Sequence, residues 1–291
     1  MHILKLLADL AATAPAHYEQ ATPRRAALHE LRRFGAKTLA AALPLGLGAV
    51  PALARDTRTI LDSLLLALRL ERLQNAFYSR ALTSPATFFP PDASFRASIV
   101  KMQAHQQQHA ALLTRLITTS NGDVPAQPGY DFTGSKNSTQ AALFPNVFSD
   151  FDEFLRLAQQ LEDAGVRAYK AIVEFLVQDN YVLQTTLQLH STEARHAARL
   201  RTMRRQRTAV VKPWPSPADA DITVAGKTAV VYATEHATTQ LLQLGSNYTA
   251  VPFRLLPIGS GPNILTNSVP EAFDEPLSAA EVDGLLNLFT L

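Results

Sequence analysis

Four stretches of the chain decide how it folds: LRLERLQNAFY (residues 68–78), AHQQQHAALL (104–113), QQLEDAGVRAY (159–169) and HSTEARHAARL (190–200). Their apolar residues recur at a helical period, and among them stand Glu71, His109, Glu162 and the pair Glu193 and His196. The order is a lone Glu, a His-bearing helix, a lone Glu, a His-bearing helix. The two halves read as an internal repeat. Tyr78 follows Glu71 by seven residues and Tyr169 follows Glu162 by seven, while His109-Ala-Ala-Leu-Leu is echoed by His196-Ala-Ala-Arg-Leu. Seven residues is about two helical turns, which sets each Tyr below its own Glu on one face.

Working outward, helices are expected over Asp56 to Leu82, Ser94 to Thr119, Ser149 to Val177 and Tyr181 to Arg205. Pro85, Pro90 and Pro91 mark the first connection, the Gly-, Pro- and Asn-rich residues 120–147 the second, and Asp179-Asn180 the third. Short, long and short connections describe an all-α fold: a four-helix bundle of two helical hairpins joined by a long crossover. Three segments follow: 1–54, 55–206 for the bundle, and 207–291 as an irregular C-terminal extension wrapping it. In that extension ITVAGKTAVVYATE (222–235) is the most strand-like piece, or else a helix continuing through TEHATTQLLQL. The last residues read as a capped amphipathic helix starting near Ser278.

Positions i and i+3 share a helix face, so Glu193 and His196 can reach one metal ion together. Glu71 and Glu162 lie on apolar stripes, where a carboxylate is costly unless paired or metal-bound. Two lone Glu residues and two Glu-x-x-His pairs would complete a di-metal carboxylate site. Here the first pair reads Gln106-x-x-His109, and residues 96–120 hold no Asp or Glu to replace the missing acid. Three carboxylates leave two divalent ions with a net positive charge in a low-dielectric centre. His105, one turn before His109, and His190, three residues before Glu193, are further nitrogen donors, and Gln106 itself is a further oxygen donor. A His-richer set favours a single metal or Zn; a carboxylate-richer one suits Fe or Mn. The alternative is a metal-free, buried hydrogen-bond network left from a lost site.

The chain resembles the ferritin-like domain family that includes the plant desiccation-related proteins and many uncharacterised bacterial proteins. LERLQNAFY, HAALL, PGYDF, LEDAGVRAY, EARHAARL and the closing AFDEPL carry the resemblance. It covers residues 56–205 well and the tail loosely. It implies a ferritin-like bundle, with metal positions at Glu71, His109, Glu162, Glu193 and His196 and with Gln106 as the departure. Tyr78 and Tyr169 are then donors or redox neighbours to the ligands. The expected activity is oxidation or storage-type chemistry with Fe, Mn or Zn; the alternative is a non-catalytic structural or desiccation-protective scaffold.

With no Cys, thiolate metal sites, disulfides and Cys nucleophiles are excluded. The formal charge is +2. Residues 1–54 hold six Lys/Arg and three acids, leaving 21 basic and 22 acidic residues in the body. That near-neutral body argues against a dedicated nucleic-acid binder. Arg195, Arg199, Arg201, Arg204, Arg205 and Arg207 form a basic cluster, read first as cations favoured by a helix C-terminus. Residues 32–54, RRFGAKTLAAALPLGLGAVPALA, have the Arg pair, short apolar run and small-residue end of a twin-arginine export signal. The same segment reads equally as part of a helical arm packed on the bundle or on another subunit. The run is too short and too rich in Pro and Gly for a membrane span. A cleaved signal implies a periplasmic or exported protein, and otherwise a cytoplasmic one; in either case the expected partners are metal ions and a second copy of the chain.

Overall fold

A computed structural model of the chain describes residues 59–235, 237, 239–244, 247–252, 271 and 274–291. The signal or arm expected in residues 1–54 lies outside the described residues. Five α-helices occur among those described: α1 (Ile60–Leu82), α2 (Ala93–Thr119), α3 (Phe151–Val173), α4 (Asn180–Gln206) and α5 (Ala279–Phe289). Each starts on a side chain that accepts from otherwise unpaired first-turn N–H groups: Thr59, Asp92, Asp150, Asp179 and Ser278. Thr59 and Ser278 complete reciprocal capping boxes with Asp62 and Glu281. α3 stops at Val173, short of the expected Val177. There Phe175 N–H bonds Ile172 O at 3.0 Å and Leu176 N–H bonds Val173 O at 3.1 Å, a tighter turn that drops Leu176 into the core.

α1 pairs with α2 and α3 with α4, and the two hairpins meet through α1–α3 and α2–α4. Phe77 stacks on Phe154 at 4.8 Å while Gln74, one turn earlier, donates to Leu161 O, further along α3. α1 and α3 are therefore antiparallel. Since α2 also opposes α1, α2 and α3 run the same way, and residues 120–150 must travel the length of the bundle, about 40 Å for the 27 residues of α2. The expected long crossover has this geometric cause.

The crossover is organised by Asp131. Its carboxylate accepts from Thr133 N–H, the Ser135 hydroxyl and Asn137 N–H, which holds Lys136, Asn137 and Ser138 at φ of 53°, 54° and 66°. α5 lies against it. Asp131 N–H bonds Phe289 O at 2.8 Å, Leu291 N–H bonds Gly129 O at 3.0 Å, and the Lys136 ammonium donates to Asn287 O and Thr290 O. Phe77, Phe132, Phe148 and Phe154 join crossover, α1 and α3 in one aromatic core.

Residues 222–235 form neither the strand nor the helix expected of them. Short 3₁₀ turns run over Pro217–Ile222 and Ala229–Tyr232. The Thr228 hydroxyl accepts from Val224 N–H, closing a tight loop, and Val231 and Tyr232 are buried. The stretch read as a possible continuing helix instead supplies strand β1 (Thr239–Leu244), antiparallel to β2 (Asn247–Pro252). No helix among the described residues is long and apolar enough to cross a membrane.

Candidate metal centre

Glu71 on α1, Glu162 on α3 and Glu193 on α4 are completely buried, and His109 on α2 and His196 on α4 nearly so. The bundle brings all five together. They form two groups whose ligand-capable atoms lie within 4.8 Å of one another: Glu71, His109 and Glu193, and Glu162, Glu193 and His196. Glu193 belongs to both.

Both imidazoles turn Nδ1 to the carboxylates. His109 Nδ1 is 3.2 Å from Glu71 Oε2 and 3.2 Å from Glu193 Oε1. His196 Nδ1 is 3.2 Å from Glu162 Oε2 and 3.6 Å from Glu193 Oε1. The outer carboxylate oxygens are held by tyrosines, each reaching across the bundle: Tyr78 donates to Glu162 Oε1 and Tyr169 to Glu71 Oε1, both at 2.5 Å. Each Tyr lies two turns below its own Glu, and both are buried. Seven residues is about 10 Å along a helix, too far for the two to touch, and the antiparallel neighbour brings the other Glu within reach.

Gln106 is fully buried. Its amide donates to Glu193 Oε2 at 3.0 Å and Glu162 Oε1 at 3.4 Å. Gln74, not singled out from sequence, donates to the same Glu193 Oε2 at 3.3 Å. Its signal was its place three residues after Glu71, on the face where Glu-x-x-His sets its His. The matching position after Glu162 is Gly165, where an added Cβ would lie 3.1 Å from Gln74 Nε2 and 3.3 Å from Glu193 Oε2. His105 and His190 are in neither group. Among the described residues His105 contacts no carboxylate; its Nδ1 lies 2.9 Å from His196 Nε2. His190 is half-buried, and burial, then the Lys170 charge, holds its pKa below the usual value.

Burial pushes the Glu71, Glu162 and Glu193 carboxyls up to about 7; the charge of Glu193 adds to the rise at Glu71 and that of Glu162 to the rise at Glu193. Burial opposes the His109 charge, but Glu193 and Glu71 beside it win and raise it to about 10. His196 is lowered, chiefly by burial. Burial and the neighbouring carboxylates hold Tyr78 and Tyr169 well above the ordinary phenol value, so both stay donors.

The donor set fits a cation. Glu193 Oε1 faces both imidazoles without an aligned hydrogen bond, and Gln106 Oε1 and Gln74 Oε1 have no donor either. An orphaned buried acceptor on the residue common to both groups is uncommon in a folded interior, and a positive ion beside Glu193 Oε1 would satisfy it.

The basic cluster is largely consumed within the chain. Arg201 is buried and bidentate to Asp163 at 2.7 Å, Arg204 donates to Gln159, Arg207 pairs with Asp152, and Arg199 donates to Ser98. No curated protein sequence matches the chain. A family model described as the ferritin-like domain matches residues 59–206, the span from the cap of α1 to the end of α4. The match, the two hairpins and the buried carboxylate–histidine groups agree, and the chain belongs to the ferritin-like domain family.

Proposed function

We propose that the protein binds two divalent metal ions at this centre, Glu71 and His109 holding one, Glu162 and His196 the other, and Glu193 serving both. The observation that carries the reading is the shared Glu193, whose Oε1 is presented between two buried donor groups with no hydrogen bond of its own. Imidazole and carboxylate together suit Fe, Mn or Zn. Bound there, Fe or Mn would supply oxidation or storage-type redox chemistry, and Zn a Lewis acid. The chain's own part is positioning. Tyr78 and Tyr169 fix the outer oxygens of Glu162 and Glu71, and Gln74 and Gln106 fix Glu193 Oε2, so each carboxylate keeps an oxygen turned inward. All three carboxylates are fully buried and so shielded from bulk water. Gln106 supplies no charge, so three carboxylates face two dications, and a further rise in metal charge is disfavoured.

A second reading has its own support. Apart from Glu193 Oε1, each carboxylate oxygen of the cluster already faces a protein donor. A bundle so nearly satisfied also works as a non-catalytic, stress- or desiccation-protective scaffold. Metal content separates the two. The chain is purified without chelator and analysed by mass spectrometry beside a Glu71→Ala/Glu162→Ala variant. A ratio near two that falls to background in the variant is expected. No metal in the wild type after Fe, Mn and Zn are supplied would overturn the metal reading and leave the scaffold.

A further inference from the structure

The two halves of the centre are not equally supported, and the difference lies in His105. Each imidazole presents Nδ1 to the carboxylates, so each leaves Nε2 pointing away. The Nε2 of His196 meets His105 Nδ1 at 2.9 Å, and the three rings of His105, His109 and His196 lie nearly parallel, with the His105 and His196 centroids 5.2 Å apart. No such partner is found for His109 Nε2 among the described residues. The internal repeat shows why. His105 stands one residue before Gln106. The matching residue before Glu193 is Thr192, whose hydroxyl turns back to Gln188 O at 3.0 Å on its own helix. One half therefore has an imidazole braced from behind, and the other does not.

The bracing decides a proton position. For His196 Nδ1 to offer a lone pair to a metal ion, the ring must carry its hydrogen on Nε2, and that hydrogen needs an acceptor. His105 Nδ1 is at the right distance, with the His105 proton then on its own Nε2. A ligand imidazole held this way has its tautomer and ring plane set in advance, and such partners govern metal affinity by about 10- to 100-fold. The same half has a second advantage: Glu162, Glu193 and His196 all come from the α3–α4 hairpin, whereas Glu71, His109 and Glu193 span both hairpins.

We infer that His105 is a positioning residue that makes the two metal positions unequal, so that the Glu162–Glu193–His196 half fills first and binds more tightly. The inference rests on the metal reading above.

The test is a titration of the full chain with Co²⁺, following visible absorption and bound metal together. The wild type should take up two equivalents in two steps. His105→Leu, which removes the acceptor, should weaken the first step about tenfold or more and merge it with the second. His105→Gln, which restores an acceptor oxygen, should recover the two steps and the first-step spectrum; a purely structural loss would not be recovered this way. His109→Ala should keep the first step and lose the second, and His196→Ala should do the reverse. That pair decides the filling order even if His105→Leu fails to fold. Two indistinguishable steps in the wild type, or a first step unchanged in His105→Leu, would overturn the unequal pair and leave the metal reading standing. No Co²⁺ uptake by the wild type would overturn both.

Discussion

Gln106 separates this centre from a fully acidic one, and its replacement tests the charge argument directly. In Gln106→Glu a fourth carboxylate joins three that burial already holds near 7. Such groups have folded pKa values above the ordinary 4.5 or so. Their contribution to stability is therefore complete below about pH 4.5 and is lost as pH rises through 7. The metal-free protein is expected to melt at a lower temperature at pH 8 than at pH 5. Gln106→Glu should steepen that fall, costing about 1–3 kcal/mol at pH 8 through lost donors and added repulsion. With saturating Zn²⁺ the order should reverse, because the added charge offsets the excess on two dications. Thermal melts in chelator and in Zn²⁺ read both; a variant that melts below the wild type under both conditions would count against a two-ion centre. How much of the site was legible follows from the reach of each contact. Glu193 and His196 share a turn of one helix, so spacing alone joined them. Tyr78 with Glu162, and His105 with His196, meet across helices, and no local spacing encodes which facing residue arrives.

At the scale of elements, α3 carries the centre on one face and the C-terminal extension on another. Asp163, beside Glu162, turns outward to Arg201, which also meets Asp219 at 3.1 Å, while Tyr232 donates to Asp163 at 2.5 Å. This buried network ties α3, α4 and both 3₁₀ turns together. Removing one partner of a buried ion pair strands the other, at about 3–5 kcal/mol. Arg201→Met is expected to lose that much in denaturant unfolding, while Arg205→Met, at an exposed position four residues on, should stay within about 0.5 kcal/mol. Equal effects would show that the network adds nothing specific. The same network explains why residues 222–235 resisted reading from sequence. Their alternation of Val, Ala and Thr suits a strand, but Tyr232 is drawn to Asp163 and Val231 into the core, so tertiary contacts override local preference. The bundle helices were legible because period and breakers agreed, as with the Asp179-Asn180 turn before α4 and the acidic capping signal before α3.

For the whole molecule, α5 and the crossover form one unit laid over the bundle. Phe289 is fully buried, 6.3 Å from the Phe132 ring and 6.1 Å from that of Phe144. Phe289→Ala is expected to cost about 3–5 kcal/mol and to expose residues 120–150 to limited proteolysis, while cleavage within α1 to α4 stays slow. Loss of stability without faster cleavage there would show that α5 does not hold the crossover down. The crossed tyrosines carry a consequence for how the chain comes apart. Tyr78 and Glu162 are 84 residues apart in sequence, and Tyr169 and Glu71 are 98. Each hairpin supplies a histidine to one oxygen of its own acid, and the other hairpin supplies the tyrosine for the second. The contacts that finish the centre are non-local, so making them requires the two hairpins to come together. An ion held by Glu71, His109 and Glu193 would act as a rivet between those hairpins, whereas one held by Glu162, Glu193 and His196 would sit within a single hairpin. Drawing the rivet would ease the parting of the two halves while leaving each hairpin's own helices held together.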